Sequence, residues 1–350
     1  MTIYDSNGYL AIKNIIAQKT PFNFITGARG TGKTYGCLEL GVERHTAGLG
    51  CFILMRRTMG EAELLWRDEQ LNPFTQLNID KGWNIGIVRS SKYTGAIVSR
   101  ETNPDGTMRV VGEPLGIVLA LSTVANLRGF NGAQFSYLFY DEFIPEAHVR
   151  PIKDEHLAFL NAYETINRNR ELCGAPPVLC VCASNSNRLD NPLYTGLNLV
   201  TKVDSMKRKG QMVSTLHDRG ITLINMERSP VSDRKANTAL YKMAHGTSFG
   251  EMALENKYVG ESERTNNGTR PLQEYRPLCS VGEISIYQHK SRLEWYVTKH
   301  AASGVESFGM GDTERARFRR RYSWLWIAYL RKQVFFESRI CEILLTNIFS

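Results

Sequence analysis

The chain lacks the marks of several large protein classes. It has no paired C-x-x-C spacing, and its seven cysteines are odd in number. Cys180 and Cys182 lie inside an apolar run. This argues against a zinc ribbon or a disulfide scaffold and fits reduced, buried thiols in a cytosolic setting. The amino terminus, MTIYDSNGYL, has no charged leader followed by an apolar stretch, so secretion is not expected. The long apolar stretch near the end, YSWLWIAYLRKQVFF, is broken by Arg331 and Lys332 and is too short to cross a bilayer, so no membrane partner is expected. There is no internal repeat and no low-complexity segment, which removes solenoids and disordered tails. An N-K-x-D guanine-reading motif is missing too, which weighs against a GTPase.

What is present is the composition of a globular protein. Of 350 residues, 42% are hydrophobic and 22% charged, enough for one large domain or two modest ones with a real core. Lys plus Arg exceed Asp plus Glu by 43 to 35, a formal +8. That balance allows a polyanion partner without requiring one.

Short apolar runs alternate with helical patterns. PFNFIT (21–26) and CFILM (51–55) read as buried strands. GIVLALS (116–122), YLFYD (137–141) and VLCVCAS (178–184) are continuous apolar runs of the parallel-strand type, with a helix over 156–171 between the last two. Between 84 and 112, alternating segments separated by turn residues such as NPDG predict an antiparallel meander inserted into the sheet. The pattern predicts an α/β fold with a mainly parallel sheet over residues 1–230. A helical linker or lid is expected over 231–262, and a small α/β domain ending in a long helical tail over 263–350.

The strongest motif is GARGTGKT. Gly27, Ala28, Arg29, Gly30, Thr31, Gly32, Lys33 and Thr34 fit G-x-x-x-x-G-K-[ST] in full, with a strand before and a helix after. Glycines let successive backbone N–H groups point into one hole, and the helix start adds partial positive charge. Lys33 is expected at the β and γ phosphates of ATP, and Thr34 at Mg²⁺. Asp141, at the tip of YLFYDEF, is expected to hold the same metal, and Glu142 to orient and polarise the attacking water. The adjacent glutamate and the extra strand 116–122 between the two motifs point to the additional-strand, catalytic-glutamate class of P-loop ATPases. Asn185, after the strand 178–184, is either a sensor of the γ-phosphate or an ordinary turn residue. Arg168 and Arg170 close the 156–171 helix, where they could serve a neighbouring subunit's nucleotide as a finger or simply complement the helix dipole. Gln18 is a plausible lining residue for the adenine.

Taken together, NFITGARGTGKTYG, YLFYDEF, NRNRE, ASN followed by NPLY, and FGEMALENKYVGE resemble the DNA-packaging ATPases of phi29-type phages, relatives of large terminases. The likeness runs over most of residues 20–262. It implies a homomeric ring, a pentamer in that group, docked on the portal of a prohead in the host cytoplasm and absent from the mature virion. Such a ring drives double-stranded DNA inward using ATP, and a scaffold RNA is a further partner in the group. The resemblance makes Arg168 the trans-acting finger, with Arg170 as understudy. It also places Arg128, in LSTVANLRGFNGAQF, on the channel-facing loop as a contact to DNA phosphates. The family's second domain resembles a ribonuclease H-type nuclease. Here Glu283 and Glu294 offer carboxylates without an Asp in a strand core, and Asp312 and Glu314 fall in a polar turn, so a vestigial domain without nuclease activity is expected. Its run ERARFRRRY offers Arg315, Arg317, Arg319, Arg320 and Arg321 to DNA or RNA, with Arg319, Arg320 and Arg321 the chosen contacts; a solvated helix face is the plainer reading. The alternatives are a terminase with an active nuclease, a non-motor ATP-binding assembly factor and a hexameric helicase.

Overall fold

The fold is that of a computed structural model, which describes residues 2–126, 131–145, 149, 152–226, 229–244, 246, 247 and 268–349. Two compact units emerge. One comprises Met1–Leu197 and Met206–Tyr258, the other Asn198–Ser205 and Val259–Ser350. No helix among the described residues is long and apolar enough to cross a membrane.

The first unit is built on a sheet whose described strands are β1 (Phe22–Gly27), β2 (Cys51–Arg56), β3 (Ile85–Arg89), β4 (Gly95–Thr102), β5 (Met108–Ala120), β6 (Phe135–Asp141), β7 (Leu179–Ser184), β8 (Val213–Leu216) and β9 (Ile221–Met226). Their order is β3-β4-β5-β2-β6-β7-β1-β9-β8. The six from β5 to β9 in this order run parallel, and β3, β4 and β8 are antiparallel additions at the edges. The parallel strands are the continuous apolar runs of the sequence, because helices cover both faces and no face is left to water. Phe52, Ile53, Leu54 and Met55 of β2, and Tyr137 to Tyr140 of β6, are fully buried.

Two element expectations change. The segments 107–112 and 116–122 form one strand, β5. Its first part pairs with β4 as the hairpin arm, and its last part pairs with β2 inside the parallel sheet. The strand standing between the two motif strands is therefore not 116–122. It is β7, inserted between β1 and β6. Sequence order could not show this, since β7 follows both motifs in the chain.

Behind the strand tips lies a buried ion pair. The Arg57 guanidinium donates to Glu155 at 2.8 and 3.0 Å, and both side chains are almost wholly buried. The Tyr140 hydroxyl and the Ile152 N–H also donate to Glu155, at 3.2 and 3.1 Å. The Ser122 N–H donates to the Arg57 carbonyl. One carboxylate thus joins the ends of β2 and β6 to the helix Glu155–Asn167, and its own backbone partner joins the end of β5.

The second unit holds a mixed sheet of β10 (Tyr275–Val281), β11 (Ile284–His289), β12 (Trp295–Thr298), β13 (Glu306–Phe308) and β14 (Val334–Phe336), in the order β13-β10-β11-β12-β14. The middle three are an antiparallel meander, and the edge strands join in parallel. The expected long helical tail is three helices, Asp312–Arg321, Ser323–Leu330 and Arg339–Phe349, with β14 between the last two. Lys332, at φ 59, turns the chain so that Val334–Phe336 can pair with β12.

Breaking one side of the buried pair should be costly. Glu155→Ala leaves Arg57 charged and unpaired, and is expected to destabilise the chain by about 3–5 kcal/mol, read as a fall in the urea midpoint. Replacing both partners by apolar residues of similar volume should recover most of that loss.

Candidate phosphate-loop site

The loop between β1 and the helix Lys33–Thr46 curls through Gly30 at φ 69 and Gly32 at φ 82, conformations that a side chain disfavours. Gly27 is needed for a different reason. A Cβ there would stand 2.5 Å from Cβ of Met226, its partner across the β1–β9 pairing. The loop is thus wedged against a neighbouring strand.

Lys33 is buried, and its ammonium donates to the carbonyls of Gly27 and Ala28 at 2.9 and 2.8 Å and to Thr31 Oγ1 at 3.3 Å. Burial pushes its pKa down to about 8, against the pull of the nearby Glu142 and Asp141 carboxylates. A dry cation whose hydrogen-bond partners all belong to its own loop is a site suited to an anion. The donor set fits Mg²⁺ beside it. Thr34 Oγ1 donates to Asp141 Oδ1 at 3.2 Å, bringing a hydroxyl and a carboxylate from segments 107 residues apart to one point.

Asp141 is also gripped by Arg56, whose Nη1 lies 2.7 Å from Oδ2. Burial raises the Asp141 pKa, opposed by Arg56, Thr34 and Lys33. Glu142 follows in the left-handed region at φ 55, a costly backbone for a non-glycine residue. Its carboxylate accepts from the Asn185 N–H at 3.2 Å, from Ser184 Oγ at 3.3 Å and from Asn185 Nδ2. Burial, and then the charge of Asp141, raise the Glu142 pKa, the direction that suits a carboxylate for proton transfer near neutral pH.

Lys33, Thr34, Asp141, Glu142 and Asn185 are therefore assembled at one end of the parallel strands. Asn185 touches Glu142 directly, so it is placed to act through that carboxylate. Arg168 is not brought to this cluster. It caps the helix Glu155–Asn167 and is exposed, at φ 48 and ψ −142. Arg170 nearby donates to the carbonyls of Phe135 and Ala133, at the start of β6. Asp141 ends the same strand, about 20 Å further on at the usual rise per residue. Arg170 is thus tied to its own sheet, and Arg168 is an exposed residue at the helix end. Arg56 is the site residue that pattern reading missed. The signal was its place at the end of a buried strand, since a charge at a parallel-strand tip faces the crevice.

Arg128 and the motif at 249–261 lie outside the described residues. In the second unit, Arg317 pairs with Glu306 and Glu314, Arg321 with Glu306 at 3.0 Å, and Arg315 with Asp312 at 2.7 Å. Among the described hydrogen bonds and ion pairs, none uses Arg319 or Arg320. Glu283 pairs with Lys299 and Glu294 with Arg270 and Arg292. Among the described residues no three His, Cys, Asp or Glu side chains cluster to hold a metal.

The parallel sheet with β7 between the two motif strands, and the glycine loop running into a helix, define a P-loop NTPase fold with the catalytic-glutamate arrangement. Comparison with known proteins is more particular. The family described as Podovirus DNA encapsidation protein (Gp16) matches residues 106–268, just under half of the chain and downstream of the phosphate loop. The DNA packaging proteins of Bacillus phages phi29 and PZA are each 28% identical, over 242 and 241 residues, 69% of this chain. The matches span 63% of those relatives' length. Two solved structures share the fold over nearly the whole chain. The bacteriophage Phi-29 viral genome packaging motor assembly superposes with TM-score 0.66 at 20% identity, over 99% of both chains. The Phi-28 DNA packaging motor superposes with TM-score 0.62 at 16% identity, over 98% and 97%. The chain is thus similar, in sequence over 69% of its length and in fold over nearly all of it, to the phi29-type DNA packaging proteins.

The buried ammonium gives a pH signature. The folded-state pKa of Lys33, about 8, lies below the ordinary 10.5, so between these values the unfolded chain binds more protons and stability should rise with pH. Lys33→Met should flatten that rise in denaturation midpoints measured from pH 7.5 to 10.5.

Proposed function

We propose that this chain is an ATPase of a phage genome-packaging motor, moving double-stranded DNA into a prohead through a homomeric ring on the portal. The observation that carries the reading is the meeting of Thr34 and Asp141 at 3.2 Å with Glu142 beside them. Two motifs far apart in sequence converge on one crevice with the residues that nucleotide hydrolysis needs. The names of the homologous phage proteins supply the DNA-packaging role.

In this reading the Gly27–Thr34 loop holds the phosphates of ATP, Lys33 leaves its loop carbonyls for the β and γ phosphates, and Thr34 and Asp141 hold Mg²⁺. The metal, when bound, neutralises charge that develops on the phosphate oxygens. Glu142 takes the proton of the attacking water, and Asn185 and Ser184 set the direction of its carboxylate. Arg56 opposes the effect of burial on Asp141 and aims its carboxylate. Arg168 is the finger of a neighbouring copy. Its exposure at the helix end and its positive-φ backbone support service in trans. Arg128, with Arg319 and Arg320, would contact DNA phosphates, independent of base sequence because a motor must move any genome. Residues 263–350 are a vestigial nuclease-like domain in this reading.

Glu142→Gln should retain ATP binding and lose turnover by about 10²-fold or more. Normal steady-state hydrolysis in that variant would remove the assignment. Arg168→Ala should be inactive alone yet recover hydrolysis when mixed with Glu142→Gln subunits, which lend their Arg168; mixtures no more active than their parts would rule out a finger acting between copies. Arg319→Ala and Arg320→Ala should each weaken DNA binding on all sequences alike and lower the salt slope by about one.

A further inference from the structure

Lys235 is a second cation on the phosphate loop. It lies on the short helix Pro230–Ala236, which follows β9. Its ammonium donates to the Arg29 carbonyl at 2.7 Å, and it occupies the space that a Cβ on Gly30 would fill. Lys33 takes the carbonyls of Gly27 and Ala28. Three consecutive carbonyls of one loop are therefore capped by two ammonium groups. The two are near enough that the charge of Lys235 pulls the Lys33 pKa down, and burial lowers that of Lys235 as well. Like charges this close repel unless an anion lies between them.

The placement is built rather than incidental. Ser229 caps the helix by accepting from the Val231 N–H at 3.2 Å, and its hydroxyl donates to the Gly8 carbonyl at 2.9 Å. Gly8, at φ 83, approaches Pro230 so closely that a Cβ would stand 2.7 Å from the ring. Arg234 donates to the Asn7 carbonyl and lies 5.9 Å from the Tyr9 ring centroid. The Leu10 N–H donates to the Thr31 carbonyl at 2.9 Å, fastening the same amino-terminal segment to the loop. Helix, segment and loop thus form one platform that aims Lys235 across the loop's tip.

We propose that Lys235 is a phosphate-binding residue of the nucleotide site, gripping the β- or γ-phosphate together with Lys33 and making the loop selective for polyphosphates. The inference rests on the nucleotide reading above and adds a residue to it. A lysine suits the task as a compact point charge on a flexible stem, able to leave the Arg29 carbonyl for a phosphate oxygen.

Isothermal titration of the full chain with ATP, inorganic tripolyphosphate and AMP tests it, in wild type, Lys235→Ala, Lys235→Arg and Lys33→Ala. Lys235→Ala should lose roughly tenfold to a hundredfold in affinity for both ATP and tripolyphosphate, with AMP unchanged, and Lys235→Arg should keep most of it. A denaturation midpoint equal to wild type confirms that Lys235→Ala is folded. If Lys33→Ala loses affinity while Lys235→Ala binds polyphosphate as wild type does, Lys235 has no such role and the nucleotide reading stands. An equal loss for AMP would overturn the inference by assigning the effect to the loop's shape. If wild type binds neither ATP nor tripolyphosphate, both readings fall.

Discussion

Burying an ammonium group is one of the costlier things a fold can do, and this site is arranged around doing it, with Glu142 and Asp141 as nearby opposite charges. Lys33 must be dry if it is to hold a phosphate strongly, and it must be supported while no phosphate is there. The loop carbonyls of Gly27 and Ala28 provide that support, while burial depresses the pKa. The loop can turn its carbonyls this way because glycines accept positive φ and because Gly27 lies against Met226. The order β6-β7-β1-β9 sets this loop and the Asp141 tip at the same end of the sheet.

The acidic half of the crevice shows the same economy of partners. Each carboxylate is buried enough to resist ionisation and is then given specific donors. Asp141 has Arg56 and Thr34, and Glu142 has Asn185 and Ser184. Glu142 follows Asp141 in the left-handed region, a strained backbone at the point where the two carboxylates meet the crevice. Directly behind them, Glu155 ties the tips of β2 and β6 to the helix that ends at Arg168. Movement at the strand tips therefore has a stiff, buried path toward the helix carrying the exposed arginine.

The second unit distributes its charge unevenly. Three of its clustered arginines are neutralised by carboxylates of the same unit, while Arg319 and Arg320 have no ion pair among the described residues. A run of like charge in the sequence is thus reduced to the half-buried Arg319 and the exposed Arg320. Composition alone overstates the charge that a polyanion would meet.

Much of the fold and part of the site were legible in the residues. The glycine loop, the acidic strand end and the parallel-type apolar runs each carry a local signal, because phosphate cradling, metal holding and burial on both faces dictate residue type at fixed spacing. The hidden parts were contacts between segments remote in sequence. Nothing near Arg56 names Asp141 as its partner, nothing near Asn185 names Glu142, and nothing near Lys235 names Arg29. The 116–122 run looked like the strand between the motifs because it lies between them in the chain, while pairing energy put β7 there. The sequence by itself determined the chemistry this chain can perform, since side-chain type and backbone freedom are local properties. Only the tertiary structure decided which charges face one another, because that depends on strand order and distance, and Coulomb energy is set by separation in space.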